Sequence, residues 1–325
     1  MMEVAAGLRE HFSLAVCALV RRAVTVEASA RGELLERFGE VAFIREQEEL
    51  HAALAGADAL LWYGMNPFTP TALEAMPHRP VSVRVVHTTK DEEGIDYDER
   101  WRHAIDGVVC VSPAAARRIP GAVFLPNPAS PDRLRGEARR FFPPGRLTLG
   151  YLGRLFSFKN VSWLIESLET LDCNLLIQGI DTPELTAAGL AATAEERGVG
   201  ERVAFLPPQR DVGTLLRIVD ALAVLSQQEG FPMAVVEAGW LGVPVLATPV
   251  GALPELFADE IAFVELENGV PNAASLREAL ARVQTAGADL GKRLRAKVIR
   301  ICDPAAVAAG YARVLHERIA ARGAL

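Results

Sequence analysis

Short apolar runs alternate with helical stretches along almost the whole chain, and no other feature limits the fold as much. This is the pattern of parallel sheets whose faces are covered by helices. In the first half, residues 4–12 read as a helix and 13–20 as a strand. Further strands are expected at 41–44, 58–63, 81–86 and 107–111, with helical segments at 46–55 and 101–105. A second series has strands at 147–152, 173–178, 203–206, 221–225, 244–248 and 262–264. Helices at 161–171, 183–197, 212–219 and 233–241 separate them, and from Ala273 onward the chain reads as nearly all helix. Residues 126–145 hold five prolines without apolar periodicity, and read as an interdomain linker. The expectation is an α/β protein of two Rossmann-like domains, 1–144 including the linker and 145–325, with a crevice at the strand carboxyl ends. The last helix is placed so that it can pack back on the first domain.

Composition narrows the function classes. Half of the 325 residues are apolar, enough for real cores. The formal net charge is −7 and no Lys/Arg run stands out, so no nucleic-acid partner is expected. Cys17, Cys110, Cys173 and Cys302 lie far apart without metal-ligand or disulfide spacing, and read as buried thiols of a cytoplasmic protein. No segment approaches the roughly 18 apolar residues of a membrane span. Residues 1–11 carry Glu3 and Glu10 and lack the apolar run of a secretory signal. No helix sets aromatics against a basic face, so membrane contact is not evident.

Two segments carry chemistry. The first, at 153–160, runs from Gly153 and Arg154 to Lys159 and Asn160, follows a strand and opens a helix. Strand ends and helix starts face the ligand crevice in this architecture, and helix starts favour anions. Arg154 and Lys159, five residues apart on a short loop, are able to converge on a diphosphate, one as a planar fork of donors and the other as a point charge. Taken alone, they read equally well as two solvated surface cations.

The second segment, 229–237, is the stronger. Pro232 suits the first turn of a helix, where its missing N–H is no loss. Glu229 then sits in the loop at the crevice mouth and Glu237 lies more than a turn into the helix. Free backbone N–H groups over 230–234 point at whatever occupies the crevice. Carboxylates accept from hydroxyls and amides donate to oxygens, so the arrangement suits a ligand with many hydroxyls and a diphosphate. Glu229 also reads as an acid complementing a helix start. Glu237 also reads as an exposed helix charge, although its neighbours Val235, Val236, Ala238 and Trp240 are apolar.

Two carboxylates eight positions apart, followed by Ala238-Gly239-Trp240-Leu241-Gly242-Val243-Pro244-Val245, resemble the E-x7-E signature and next strand of family-4 retaining glycosyltransferases. Gly153-Arg154 and Lys159 resemble that family's diphosphate loop, and Arg202-Val203-Ala204-Phe205-Leu206 its base-side strand. Ser226 falls where the family often has a Pro-Ser pair, and Pro249-Val250-Gly251 precedes Pro254-Glu255 as in its members. The likeness is close over residues 146–265. It implies a GT-B fold, two facing Rossmann-like domains with parallel sheets and the donor site in the second. It also implies transfer of a sugar from a nucleoside-diphosphate sugar to an acceptor hydroxyl, with retention. Arg154 and Lys159, beside Gly153, would hold the donor diphosphate. Glu229 would bind a sugar hydroxyl, and backbone at Gly230, Phe231, Pro232 and Met233 the sugar's other oxygens. Glu237 would bind the ribose, and the loop at Leu206 and Pro207 would sit against the base. Members are usually metal-independent, so no cofactor is expected beyond a UDP-, GDP- or ADP-sugar as substrate.

The first half resembles the family less. Asp106-Gly107-Val108-Val109-Cys110-Val111-Ser112 resembles its strand ending in Ser, and Leu125-Pro126-Asn127 its entry to the linker. Val85-Val86-His87 ends a strand in the manner of the family's active-site His, which makes His87 the catalytic candidate of this domain; it also reads as a strand-end histidine bonded to a loop. His51, His78 and His103 read as structural or surface residues. The family opens with a strand and a Gly-rich loop, and both are expected to be missing before the helix at 4–12. The bared edge would then be filled by a second copy, giving a homodimer through this domain, by a loop, or by solvent. That expectation keeps open a second function, a nucleotide-sugar-binding protein with little or no transferase activity. An isomerase of the sugar-nucleotide epimerase kind, which shares the fold, is disfavoured by the spacing of Glu229 and Glu237.

Overall fold

The computed structural model describes residues 2–19, 35–36, 38, 41–63, 68–87, 99–129, 131–137 and 141–323. Contacts divide the chain into two compact units, one running to Asn127 and resuming at Pro304, the other Pro128–Asp303.

In the first unit, β1 (Val16–Leu19) pairs in parallel with β2 (Val41–Ile44). A second parallel sheet holds β3 (Ala59–Tyr63), β4 (Val81–Val86), β5 (Gly107–Cys110) and β6 (Val123–Phe124) in that order. Every residue of β4 is buried, as in a strand covered on both faces. The C-terminal helix Pro304–Gly323 packs on β4 and against the helix Met2–Leu8. That first helix stops short of the expected Phe12 because Val4 and Leu8 are its buried stripe, and Arg9, Glu10 and His11 beyond them are exposed. The segment expected as helix at 101–105 is a 3-10 helix, Glu99–Ala104. The expected end of the first strand at Val20 lies outside the described residues. Ser112 caps the helix Pro113–Arg118 by accepting from the Ala115 N–H.

The second unit is a six-stranded parallel sheet ordered β9-β8-β7-β10-β11-β12. Its strands are β7 (Leu147–Arg154), β8 (Cys173–Ile180), β9 (Val203–Leu206), β10 (Ala221–Val224), β11 (Val245–Ala247) and β12 (Ala262–Phe263). The chain winds outward from β7 to β9, then returns to β10 on the other side. The order therefore reverses between β7 and β10, where a doubly wound sheet leaves its ligand crevice. Leu149, Leu175 and Ile177 on the sheet and Leu164 and Ile165 on the helix Val161–Ser167 form its core.

Two local expectations need correction. Gly153 and Arg154 are not in a loop. β7 continues through them because β8 also runs longer than expected, pairing Gly153 with Gly179 and Arg154 with Ile180. The helix expected at 183–197 begins only at Ala187, where Thr186 caps it by accepting from the Gly189 N–H.

The segment after Pro128 packs within the second unit. Val212 N–H donates to the Arg133 carbonyl at 2.8 Å, Gly136 N–H to Asp211 Oδ1 at 3.0 Å, and Arg217 to the Leu134 carbonyl at 3.0 Å. The long helix Ala273–Ile301 backs the helix Met233–Leu241, and a Cβ on Gly291 would run into the Gly242 carbonyl. No helix among the described residues is long and apolar enough to cross a membrane.

Candidate functional site

A cavity of about 230 Å3 opens at the carboxyl ends of β7, β8 and β10. Gly153, Arg154, Lys159, Glu229, Pro232, Met233 and Glu237 all line it, so both chemistry-bearing segments meet in one place. Leu206, Gly230 and Phe231 do not line it. Leu206 is buried at the end of β9, and Pro208 and Gln209 reach the cavity instead. Phe231 packs edge-on against Phe257, and the Gly230 carbonyl accepts from Ala252 N–H at 2.9 Å. A larger cavity, about 520 Å3, lies in the first unit beside Arg79 and His103. Arg79 there is engaged with Asp106 and the His103 ring lies 2.7 Å from Glu74, and the cavity contains none of the motif residues.

The turn after β7 and the loop after β10 are joined by hydrogen bonds. Asn160 adopts a left-handed conformation, φ 55°, and its amide donates to the Leu225 carbonyl at 2.8 Å. Gln227 N–H donates to the Phe158 carbonyl at 2.7 Å. This brings Lys159 Nζ to 2.7 Å from Glu229 Oε1, which also accepts from Ser226 Oγ at 2.9 Å. Glu229 is held from behind by Gly251, φ +60°, where a Cβ would lie 2.5 Å from the Glu229 carbonyl. Arg154 stacks on Phe156 at 4.6 Å, and Phe156 stacks on Phe158. The Tyr151 hydroxyl donates to the Arg154 carbonyl at 2.8 Å, and burial, with the Glu229 charge, pushes its pKa well above the ordinary value.

Glu237 is only 3% exposed, so it is not a solvated helix charge. Burial raises its pKa, and Arg133, whose guanidinium lies 2.9 Å from Oε1, lowers it. The contact is an ion pair without hydrogen-bond geometry, and Oε1 accepts no hydrogen bond. Gln178, also buried, donates from Nε2 to the carbonyls of Gln209 and Asp211, at 3.4 and 3.3 Å. Two carbonyls on one side fix which way the amide points.

Arg133 and Gln178 were missed by sequence reasoning. Gln178 had a local signal, one amide closing the apolar run Leu175, Leu176, Ile177. Arg133 had none, because its partner lies far along the chain. In the first unit, His87 follows β4, and burial pushes its pKa down to about 4. His51 Nε2 bonds the Ala72 carbonyl at 2.8 Å.

The model of the glycosyl transferases group 1 family matches residues 135–297, half of the chain. The chain belongs to this family. Its sequence is similar to D-inositol 3-phosphate glycosyltransferases. It is 35% identical to that of Mycobacterium sp. (strain KMS) over 135 residues, which are 40% of this chain and 31% of the relative. It is 33% identical to that of Mycobacterium tuberculosis (strain ATCC 25177 / H37Ra) over 148 residues, 43% of this chain and 29% of the relative. The match thus spans less than a third of these relatives' length. Among solved structures, sucrose-phosphate synthase from Thermosynechococcus elongatus superimposes with a TM-score of 0.72 at 17% identity, over 98% of this chain and 92% of that one. Anabaena HepE in complex with UDP-glucose gives 0.70 at 18%, over 97% and 94%. At such identities the likeness shows the fold, which for this glycosyltransferase family member is GT-B.

Proposed function

We propose that this chain is a retaining glycosyltransferase that moves a sugar from a nucleoside-diphosphate donor to an acceptor hydroxyl. One observation carries the reading: three cations and two carboxylates from three separate segments line a single cavity at the switch point of the second sheet. In this reading Arg154 and Lys159 take the diphosphate and Glu229 a sugar hydroxyl. Glu237 takes the ribose, and the base lies toward Pro208 and Gln209. Breaking the sugar–phosphate bond leaves negative charge on the diphosphate and positive charge on the anomeric carbon. Fixed cations beside the leaving oxygens stabilise that separation without reorganising when it occurs. His87, neutral at pH 7, would act as a hydrogen-bonding group and not as a cation. The buried free thiols Cys110, Cys173 and Cys302 suit a cytoplasmic enzyme.

UDP-glucose is the first donor to try, since HepE has been solved with it. The test is a thermal-shift screen of UDP-, GDP- and ADP-sugars, followed by assay of nucleoside diphosphate release with an acceptor panel. Stabilisation by one donor and turnover abolished in Glu229→Gln support the reading. Binding without turnover favours a binding protein. No stabilisation by any donor overturns both.

A further inference from the structure

We infer that Arg133 is a positioning residue of the donor site, holding the buried Glu237 carboxylate ionised through Oε1 while leaving its second oxygen for a donor hydroxyl. The inference rests on the donor reading above. A carboxylate this deeply buried is disfavoured as an ion unless a counter-charge stands beside it. Arg133 is that counter-charge, 2.9 Å from Oε1.

The other charges near Glu237 are engaged elsewhere. Lys159 is bonded to Glu229 and Arg154 is stacked on Phe156. The Tyr151 hydroxyl donates to a backbone carbonyl. On the long helix behind, Arg295 donates to the Trp240 carbonyl and Lys297 pairs with Glu260. Asp211 is turned toward the N–H groups of Arg135, Gly136 and Gly213.

Arg133 is also delivered from a fixed place. It ends the 3-10 turn Pro131–Arg133, and its Nε donates to the Arg210 carbonyl at 3.2 Å. Its own carbonyl accepts from Val212 at 2.8 Å. The guanidinium therefore reaches Glu237 from a turn tied to the 210–217 segment, not from a free loop. The geometry of the pair matters most. Oε1 accepts no hydrogen bond although the cation is beside it. Arg133 thus holds the acid through Oε1, the oxygen closed to solvent, and leaves the carboxylate's other oxygen to accept from a ribose hydroxyl in the cavity that Glu237 lines.

Without Arg133, burial acts on Glu237 unopposed and its pKa rises further. A protonated carboxyl loses acceptor capacity, so donor affinity should fall as pH drops through that raised value. The native protein should keep its affinity further into acid. A residue that only braced the fold would weaken binding equally at every pH.

The test is calorimetric titration with whichever of UDP, GDP and ADP binds tightest, from about pH 6 to about pH 8.5. The proteins are native, Arg133→Met, Arg133→Gln, Arg133→Lys and Glu237→Gln, each checked by thermal melting. Arg133→Met and Arg133→Gln should bind roughly tenfold more weakly at the acid end, the ratio for one pKa unit, with the gap closing toward alkaline pH. Arg133→Lys should restore most of the affinity, and Glu237→Gln should be weak with a flat profile. A pH-independent loss in both neutral variants, or no loss, overturns the inference while Glu237→Gln keeps the donor reading. Full affinity in Glu237→Gln removes Glu237 from the donor site and overturns this inference alone, whereas no binding by any of the three nucleotides overturns the donor reading and this inference with it. Arg133→Gln decides the matter if Arg133→Met fails to fold.

Discussion

Lys159 and Glu229 hold each other at 2.7 Å, so the cation proposed for the diphosphate and the acid proposed for the sugar form one ion pair. Arg133 and Glu237 form the second. Arg154 is the charge left over, stacked on an aromatic ring, which leaves the site with a net positive charge toward an anionic donor. A diphosphate would draw Lys159 from Glu229 and free that acid to accept from the sugar. Diphosphate capture and sugar capture are then one event.

The first prediction concerns this exchange. Lys159→Ala removes leaving-group stabilisation and also takes from Glu229 Oε1 its cation, while the Ser226 hydroxyl still donates to that oxygen. The turnover number should fall by roughly 10²–10³-fold, the range for loss of one preorganised donor. Arg154→Ala should fall similarly. Steady-state kinetics of the two single variants and the double variant check this; a double variant with native turnover would make both residues surface charges.

The second prediction concerns the buried acid. Glu237→Ala should weaken nucleoside-diphosphate binding by about 1–3 kcal/mol, the range for a hydrogen bond to a charged group. Calorimetry reads this directly, and unchanged affinity would remove Glu237 from the donor site.

The third prediction separates strain from collision. Gly251 and Gly198 both have positive φ, +60° and +67°. A Cβ on Gly251 would press on the Glu229 and Gly230 carbonyls, whereas one on Gly198 meets nothing within 4 Å. Gly198→Ala should therefore lose only about 1–2 kcal/mol of stability, the left-handed penalty alone. Gly251→Ala should lose more and should also impair donor binding, because the displaced backbone carries Glu229. Denaturant melts of both variants, with nucleotide titration, test the contrast. Equal losses and intact binding would show that the loop yields.

Much of the second unit was legible because its signals are local. Strands such as β10 are continuous apolar runs, and Glu229, Pro232 and Glu237 lie within nine residues, on one helix and the loop that leads into it, so a local window contains all three. The full length of β7 was not legible. It depends on Gly153 and Arg154 finding partners in β8, a pairing that no window around Gly153 contains. Arg133 lay hidden for the same reason, and it was masked further by a proline-rich context that reads as linker. In the first unit His87 was found from its place at a strand end, but its burial depends on packing that the sequence does not display.

That burial gives the last prediction. The fold depresses the His87 pKa from 6.5 to about 4, because burial disfavours the imidazolium. A pKa lower in the folded state than in the unfolded one means the unfolded chain binds the proton more readily. Stability from this group is therefore complete above the unfolded value of 6.5. It is lost as pH falls from 6.5 toward 4, and no further loss follows below that. By about pH 5 the loss should be roughly 2 kcal/mol from this residue. Carboxylates titrate in the same range, so the measurement must be a difference. Denaturant unfolding of the native protein and of His87→Gln at about pH 7.5 and about pH 5 isolates it. The native protein should lose about 2 kcal/mol more than the variant between the two conditions. Parallel losses would mean that His87 is accessible enough to take its proton in the folded state. It would then be a cation at mildly acid pH, and its proposed role as a neutral hydrogen-bonding group would fail there.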